Sequence, residues 1–502
     1  MILKILLSAI LFVPLLGGVF VLFLWNRPLV GRIVALGTAL TDLFLILTLM
    51  MLIFLSGSMA GAMIFVDIAW IPQFGIGYRL AMDGISLCLI FLAAFLSVLS
   101  ILVSWQEIRE RMALFHFFIL AMQTGVTGVF LAADLFLFYL FWELQLIPMF
   151  FLIGIWGHEN RVYAALKFVV FGIFGSLLML LAIIGLYLHH GSATGVYSFS
   201  LFTLLNTPMS MTVQLWLYAA FLLSFAIRIP VFPLHTWLPD AHTEAPTAGS
   251  VLLAGLLLKT GAYALLRFGF PLFPDASGFL SPVLIVLGLF GLFYASWIAL
   301  AQKDIKRLVA YSSIGHMGLI VVGIGIFNAL TLSGVVVQMI NHGITTSALF
   351  IMAGMLQQRA GTRQIADFGG LWKKMPVYSA FFLLFAMASV GLPGLNNFVG
   401  EILILVGAFK HNPWVGFLGF AGIVFILVYM LKLVQDLLFG EPSKEFDMAD
   451  ITPREAAILI PLAMIVFYIG LYPAWVLGIL EIPVQNIMDQ AINTVIPEMI
   501  TQ

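Results

Sequence analysis

The sequence predicts an all-α, polytopic membrane protein of about fourteen transmembrane helices, and three observations carry that expectation. Of the 502 residues, 63% are hydrophobic and only 9% charged, with a mean hydropathy of +1.13. A soluble domain carries roughly a quarter of its residues as charge. Apolar runs of about 20 residues, long enough to cross a bilayer, recur from one end of the chain to the other. Most of the lysines and arginines fall between those runs, in one set of alternate loops. Helices are the expected element because in lipid they satisfy their own backbone polar groups.

Taken in order, the apolar segments lie near 2–25, 30–56, 81–104, 113–132, 134–156, 163–189, 212–229, 247–270, 280–301, 307–327, 331–356, 376–409, 414–438 and 456–480. The first has a weakly charged start and the length of a full span, so it reads as a retained helix rather than a cleaved leader. Two spans look broken. "IRIPVFPLHTWLPD" lacks backbone donors at Pro230 and Pro233, and "ASVGLPGLNNFVGE" lacks one at Pro393, between Gly391 and Gly394. Paired interruptions of this kind point to inverted repeats around an ion pathway. The expected organisation is N-terminal helices in 1–105, five-helix units in 113–270 and 280–438, and a C-terminal helix and tail in 456–502.

Orientation follows from the basic residues, because short loops rich in them stay cytoplasmic. One set of alternate loops carries Arg27, Arg32, Arg109, Arg111, Arg161, Lys303, Lys306, Arg307, Arg359, Arg363, Lys373, Lys374, Lys432, Lys444 and Arg454. The other carries only Lys4, Arg79, Arg267 and Lys410. Both termini are therefore expected on the non-cytoplasmic side of an energy-coupling membrane, such as a bacterial inner membrane.

Composition also excludes functions. A net charge of −1 offers no footprint for nucleic acid. The single cysteine, Cys88, excludes an internal disulfide and an all-cysteine iron–sulfur cluster carried by this chain alone. There is no Gly-rich phosphate loop, metal-ligand cluster or dinucleotide fingerprint, so no cofactor is expected on the chain.

The informative residues are the ionisable ones inside spans, each costing about 2.5–3.5 kcal/mol at a helix centre. Glu143 lies nine residues after Asp134, near the middle of its span; Asp134 itself reads as an interfacial end residue. Lys167 follows about a turn into the next helix, where snorkelling to the headgroups is the plainer reading. Arg228 ends the first half of a broken span, Lys259 lies about half-way along "GSVLLAGLLLKTGAYALL", and Glu401 follows the second break. His235, His316 and His342 sit at span ends or within spans, where helix-bridging hydrogen bonds compete with proton transfer as a reading. Burial disfavours a charged lysine, and a nearby carboxylate restores it. Alternating buried acids and bases are thus expected to switch one another as a proton relay. Moving a charge against the membrane potential takes about 2.3 kcal/mol per 100 mV, so the energy must come from a partner.

"FWELQLIPMFFLIGIWG", "PVFPLHTWLPDAHTEAPTAGSVLLAGLLLKTGAY", "DIKRLVAYSSIGHMG" and "GLPGLNNFVGE" together resemble the antiporter-like membrane subunits of respiratory complex I, the NADH-quinone oxidoreductase. The resemblance spans nearly the whole chain. It implies fourteen spans, with two inverted five-helix units broken at spans 7 and 12, and proton translocation driven by electron transfer from NADH to quinone. NADH, FMN, iron–sulfur clusters and quinone would be held by partner subunits, leaving this chain a non-redox member of a translocase. Its partners would be the neighbouring antiporter-like subunits and the lipid bilayer. By motif, Glu143, Lys259 and Glu401 match the glutamate of span 5, the lysine of span 8 and the glutamate of span 12, and Lys167 matches a lysine of span 6. His316 and His342 match polar positions linking the half-channels. Arg228 departs from the pattern, standing where the family's motif has a lysine partner for the residue at Glu143. A subunit of a multi-subunit cation/proton antiporter or a membrane-bound hydrogenase is the alternative with the same helical unit.

Overall fold

The structure is a computed structural model that describes residues 2–55, 63–442, 444 and 446–493. Among them, thirteen helices are long and apolar enough to cross a membrane. They are α1 (Ile2–Leu22), α2 (Pro28–Leu55), α3 (Gly84–Glu107), α4 (Met112–Leu131), α5 (Leu135–Trp156), α6 (Arg161–Thr194) and α7 (Met211–Arg228), then α9 (Thr247–Leu272), α10 (Pro274–Leu300), α11 (Ile305–Ile326), α12 (Ala329–Ala360), α15 (Pro413–Phe439) and α16 (Pro453–Leu471). The fourteenth crossing is split into α13 (Pro376–Ser389) and α14 (Asn396–His411). Two further helices, α8 (Trp237–Glu244) and α17 (Ala474–Asn493), complete the set used below.

Local chemistry sets where these helices begin. Proline stands at the first position of α10, α13, α15 and α16, where no amide hydrogen is needed. Asp83 caps α3 through Ser86 N at 3.0 Å, and Asp304 caps α11 through Arg307 N at 3.1 Å. Asp134 caps α5 through Phe136 N and Leu137 N. It is the span-end residue expected, but it is fully buried and paired with Arg79 at 2.6 Å.

Both expected breaks are present. α7 stops at Arg228, and the chain turns through 229–236, with a cis Phe232–Pro233 bond, before α8 resumes. α13 stops at Ser389, and Gly391 and Gly394 turn the chain at φ 77° and 90° before α14. Few residues other than glycine adopt that region.

Two features were not expected. Residues Ile64–Ile71 (β1) and Ile76–Met82 (β2) form an antiparallel hairpin that pairs Asp67 with Arg79. Its strands carry too little polar alternation to stand out from the apolar background. The last span was expected over 456–480 and ends instead at Leu471, with α17 as a separate helix. Tyr472 precedes Pro473, and the proline ring drives that residue out of helical geometry (φ −133°).

Packing is layered. α9 and α12 are buried along their lengths and α3, α4 and α11 nearly so, whereas α1, α2, α6, α15 and α16 bury only a third or so of theirs. The exposed faces are large and apolar, for example Phe44, Leu181, Val286 and Phe417, as lipid-facing surfaces are. Lys259, His316 and His342 stand on these inner helices.

Candidate functional site

The most continuous set of buried polar groups runs along α9, α12, α11 and α14. Lys259 is fully buried in α9, just after a π-helical turn at Leu253–Leu257. Such turns widen the helix by one residue and free a carbonyl; Lys259 Nζ donates to Ala254 O within this turn. The same Nζ lies 2.7 Å from His342 Nδ1 on α12. The His342 and His316 ring centroids are 5.5 Å apart. On α11, His316 Nδ1 stands 3.5 Å from Glu401 Oε1, and its Nε2 is 3.4 Å from Ser389 Oγ beside the break. Gln338 Nε2 donates to Glu401 Oε1 at 3.3 Å.

Helix termini hold this string in place. Glu401 lies five residues into α14, and Gly391 in the preceding turn comes so close that a β-carbon there would strike its carboxylate. Asn341 Nδ2 donates to Asn396 O at 2.6 Å, and Asn396 Nδ2 donates to Thr345 Oγ1 at 3.1 Å. These bonds tie the start of α14 to the middle of α12.

The other half is less closed. Arg228 is buried, with its guanidinium 4.7 Å from the Trp142 ring centroid and Nη2 3.5 Å from Trp142 O. Among the described residues it makes no ion pair with Glu143; Arg228 Nη1 and Glu143 Oε1 both lack partners. The two-pronged pair open to this couple is thus not formed here. Glu143 is half-buried. Lys167 neither snorkels free nor meets Glu143: it pairs with Asp240 of α8 at 2.7 Å, while Arg307 lies 3.7 Å from the same carboxylate. His235 is buried in the α7–α8 turn between Phe232 and Tyr294, with Nδ1 unpartnered.

Sequence reasoning passed over His242. It is fully buried on α8, stacked on Phe350 at 4.6 Å, with both ring nitrogens unpartnered. Lys306 is also buried at the start of α11 and donates to Ala245 O at 3.2 Å. The second histidine of "LHTWLPDAH" was the available signal, spaced seven residues from His235 and so two helical turns on.

What the arrangement can do is pass protons. Neutral imidazoles present one donor and one acceptor, and a lysine amine beside one can give or take a proton through it. Among the described residues no group of His, Cys, Asp and Glu could hold a metal ion.

Residues 132–426 match the family described as NADH:quinone oxidoreductase/Mrp antiporter, transmembrane. NADH-quinone oxidoreductase subunit M of Pseudomonas aeruginosa is 48% identical over 418 residues, 82% of each chain. The subunit of the same name in Escherichia coli is 44% identical over 437 residues, 86% of each chain. Among solved structures, a chain of respiratory complex I from Thermus thermophilus superposes with a TM-score of 0.86 at 30% identity, covering 96% of this chain and 99% of that one. A chain of the Mrp complex from Dietzia sp. shares the fold, with a TM-score of 0.87 at 19% identity, covering 97% and 98%.

Proposed function

The chain belongs to the subunit M family of the NADH-quinone oxidoreductases, and from that premise we propose that it moves protons across the membrane through its buried Glu, Lys, Arg and His side chains. The observation that carries this reading is the string Lys259–His342–His316–Glu401, with contacts of 2.7 and 3.5 Å at its two ends. The two histidines between them complete a path from the centre of α9 to the second helix break.

In this reading Lys259 is the loading group, the histidines transfer, and Glu401 passes the proton on beyond the break. His242, between Lys306 and Lys259, supplies the string from the cytoplasmic side. Glu143 and Arg228 form the control end: closing their pair would draw a positive charge away from the interior, and opening it would return that charge. Lys167, Asp240 and His235 set the field around the α7–α8 turn. The two five-helix units, 113–270 and 280–438, would each carry one break. The chain itself holds no redox centre in this account; NADH, FMN, iron–sulfur clusters and quinone act in partner subunits. Neighbouring antiporter-like subunits flank it, and both termini face away from the cytoplasm.

The test is proton uptake into vesicles that carry the assembled complex, measured per NADH oxidised. Lys259→Ala is expected to keep assembly and lose most of the proton movement assigned to this chain. Undiminished coupling in that variant would sink the reading. The antiporter and hydrogenase alternatives are disfavoured by M-subunit relatives at 38–48% identity over most of the chain.

A further inference from the structure

Asp42 stands midway along α2 and is fully buried. It belongs to the N-terminal helices, outside residues 132–426 and outside the string described above. Its Oδ2 accepts a hydrogen bond from Gln123 Nε2 of α4 at 2.6 Å. The other carboxyl oxygen, Oδ1, has no partner, and neither has Gln123 Oε1.

Among the described residues no cation pairs with this carboxyl. The helices packed against α2 are α1, α3 and α4. Their titratable side chains are Lys4 on α1, Cys88 and Glu107 on α3 and His116 on α4, with Arg32 on α2 itself. None bonds to Asp42. His116 Nδ1 is engaged with Met112 O at 2.7 Å, and Arg32 Nη2 with Ile108 O at 2.5 Å. Arg32 is ten residues away, about 15 Å along the helix. An ionised Asp42 would therefore sit in an apolar bundle with one neutral donor, which burial strongly disfavours. The neutral acid removes that penalty and matches the two free oxygens. A proton on Oδ1 can be donated to Gln123 Oε1 after a small side-chain rotation, closing a two-bond acid–amide pair.

We propose that Asp42 is a proton-binding site of this chain, held as a neutral carboxylic acid against the Gln123 amide and separate from the Lys259–Glu401 string. Neighbouring polar groups extend it along α4. Thr124 and Thr127 are fully buried with unpartnered hydroxyls, and the buried Gln145 side chain, at a joint in α5 between the helical segments Leu135–Leu144 and Leu146–Trp156, has a free Oε1. Gly125 packs directly against Gln145, which lies two residues from Glu143. Buried polar groups with unused hydrogen-bonding capacity are where ordered water binds. The polar flank of α4 thus leads from Asp42 towards the Glu143 joint, the direction in which the proton would exchange.

The test is infrared spectroscopy of the whole complex purified with this chain and reconstituted in lipid. At neutral pH the parent is expected to show a carboxylic-acid carbonyl band that shifts in heavy water and is missing in Asp42→Asn. Gln123→Leu is expected to keep the band and move it to higher frequency, because the hydrogen-bonding amide is gone. Identical spectra for parent and Asp42→Asn would overturn the proposal, as would loss of an ionised-carboxylate band instead. A band that disappears when sodium ions replace potassium would assign the site to sodium and overturn the proton assignment. Asparagine replaces a neutral acid with a neutral amide of the same shape, so assembly is expected. If Asp42→Asn fails to assemble, Asp42→Glu is measured instead, and a carboxylic-acid band left unmoved by that change would overturn the proposal.

Discussion

Arg228 carries the sharpest expectation at the scale of single residues. A guanidinium keeps its proton where a lysine amine can lose it, so Arg228 is expected to act as a fixed charge rather than as a carrier. It stacks on Trp142, the residue before Glu143, and Arg228 Nη1 and Glu143 Oε1 are each unpartnered. Arg228→Lys is therefore expected to retain proton pumping, while Arg228→Ala loses most of it. Normal coupled turnover in the alanine variant, measured as protons moved per NADH, would sink this role. At the other end, His342 is the only side chain within hydrogen-bonding distance of Lys259 Nζ among the described residues. His342→Phe is expected to cut proton movement while leaving helix packing intact. Unchanged pumping with normal assembly would remove His342 from the path.

At the scale of elements, the breaks and caps decide where the charges can stand. Gly391 combines a φ of 77° with close approach to the Glu401 carboxylate. Gly391→Ala should cost about 1–3 kcal/mol through backbone strain and push Glu401 from its place. The expected readout is reduced pumping with a lowered unfolding temperature of the complex, and an unchanged variant would refute the argument. Arg267 of α9 pairs with Asp83, the cap of α3, and also donates to Tyr263 Oη at 3.2 Å. Removing one partner of a buried pair leaves an uncompensated charge, so Arg267→Ala should destabilise by about 3–5 kcal/mol. Thermal unfolding of the purified complex would register it. The loop between α5 and α6 holds His158, whose Nε2 lies 3.2 Å from Gln357 Nε2. Burial, with Lys306 and Arg363 nearby, pushes this imidazole down to about 3. An unfolded histidine titrates near 6.5. Between those values the unfolded chain binds more protons, so the stability His158 contributes above pH ~6.5 is lost as the pH falls towards 3. His158→Gln is expected to flatten that part of the acid-unfolding profile, and a parallel profile would contradict it.

For the whole molecule, the inner helices form a polar core inside an apolar shell. Exposed faces such as those of α2, α6 and α15 are built for lipid or for other membrane subunits, and large apolar areas of this kind mark such contacts. A mild-detergent pull-down of the chain, tagged at its C-terminus, is expected to bring NADH-oxidising, quinone-reducing activity and peripheral redox subunits with it. Recovery of the chain without that activity would move the antiporter or hydrogenase reading ahead.

Hydropathy determined the class of fold and the number of crossings, and proline and glycine placed the two breaks. Lipid allows one long-range solution to backbone hydrogen bonding, and proline and glycine interrupt it by local geometry. The residues worth watching were also legible, because charge is rare in this chain and each buried instance needs a partner. Which partner each one has was decided by the tertiary structure. Lys167 meets Asp240 rather than Glu143, Lys259 meets His342, and Arg228 rests on Trp142. His242 and Asp42 stood in the sequence as ionisable residues, but only packing showed that their polar atoms are buried without partners. A 3.6-residue period says which way a side chain points from its own helix, but the identity of the facing helix depends on how distant segments of the chain pack together.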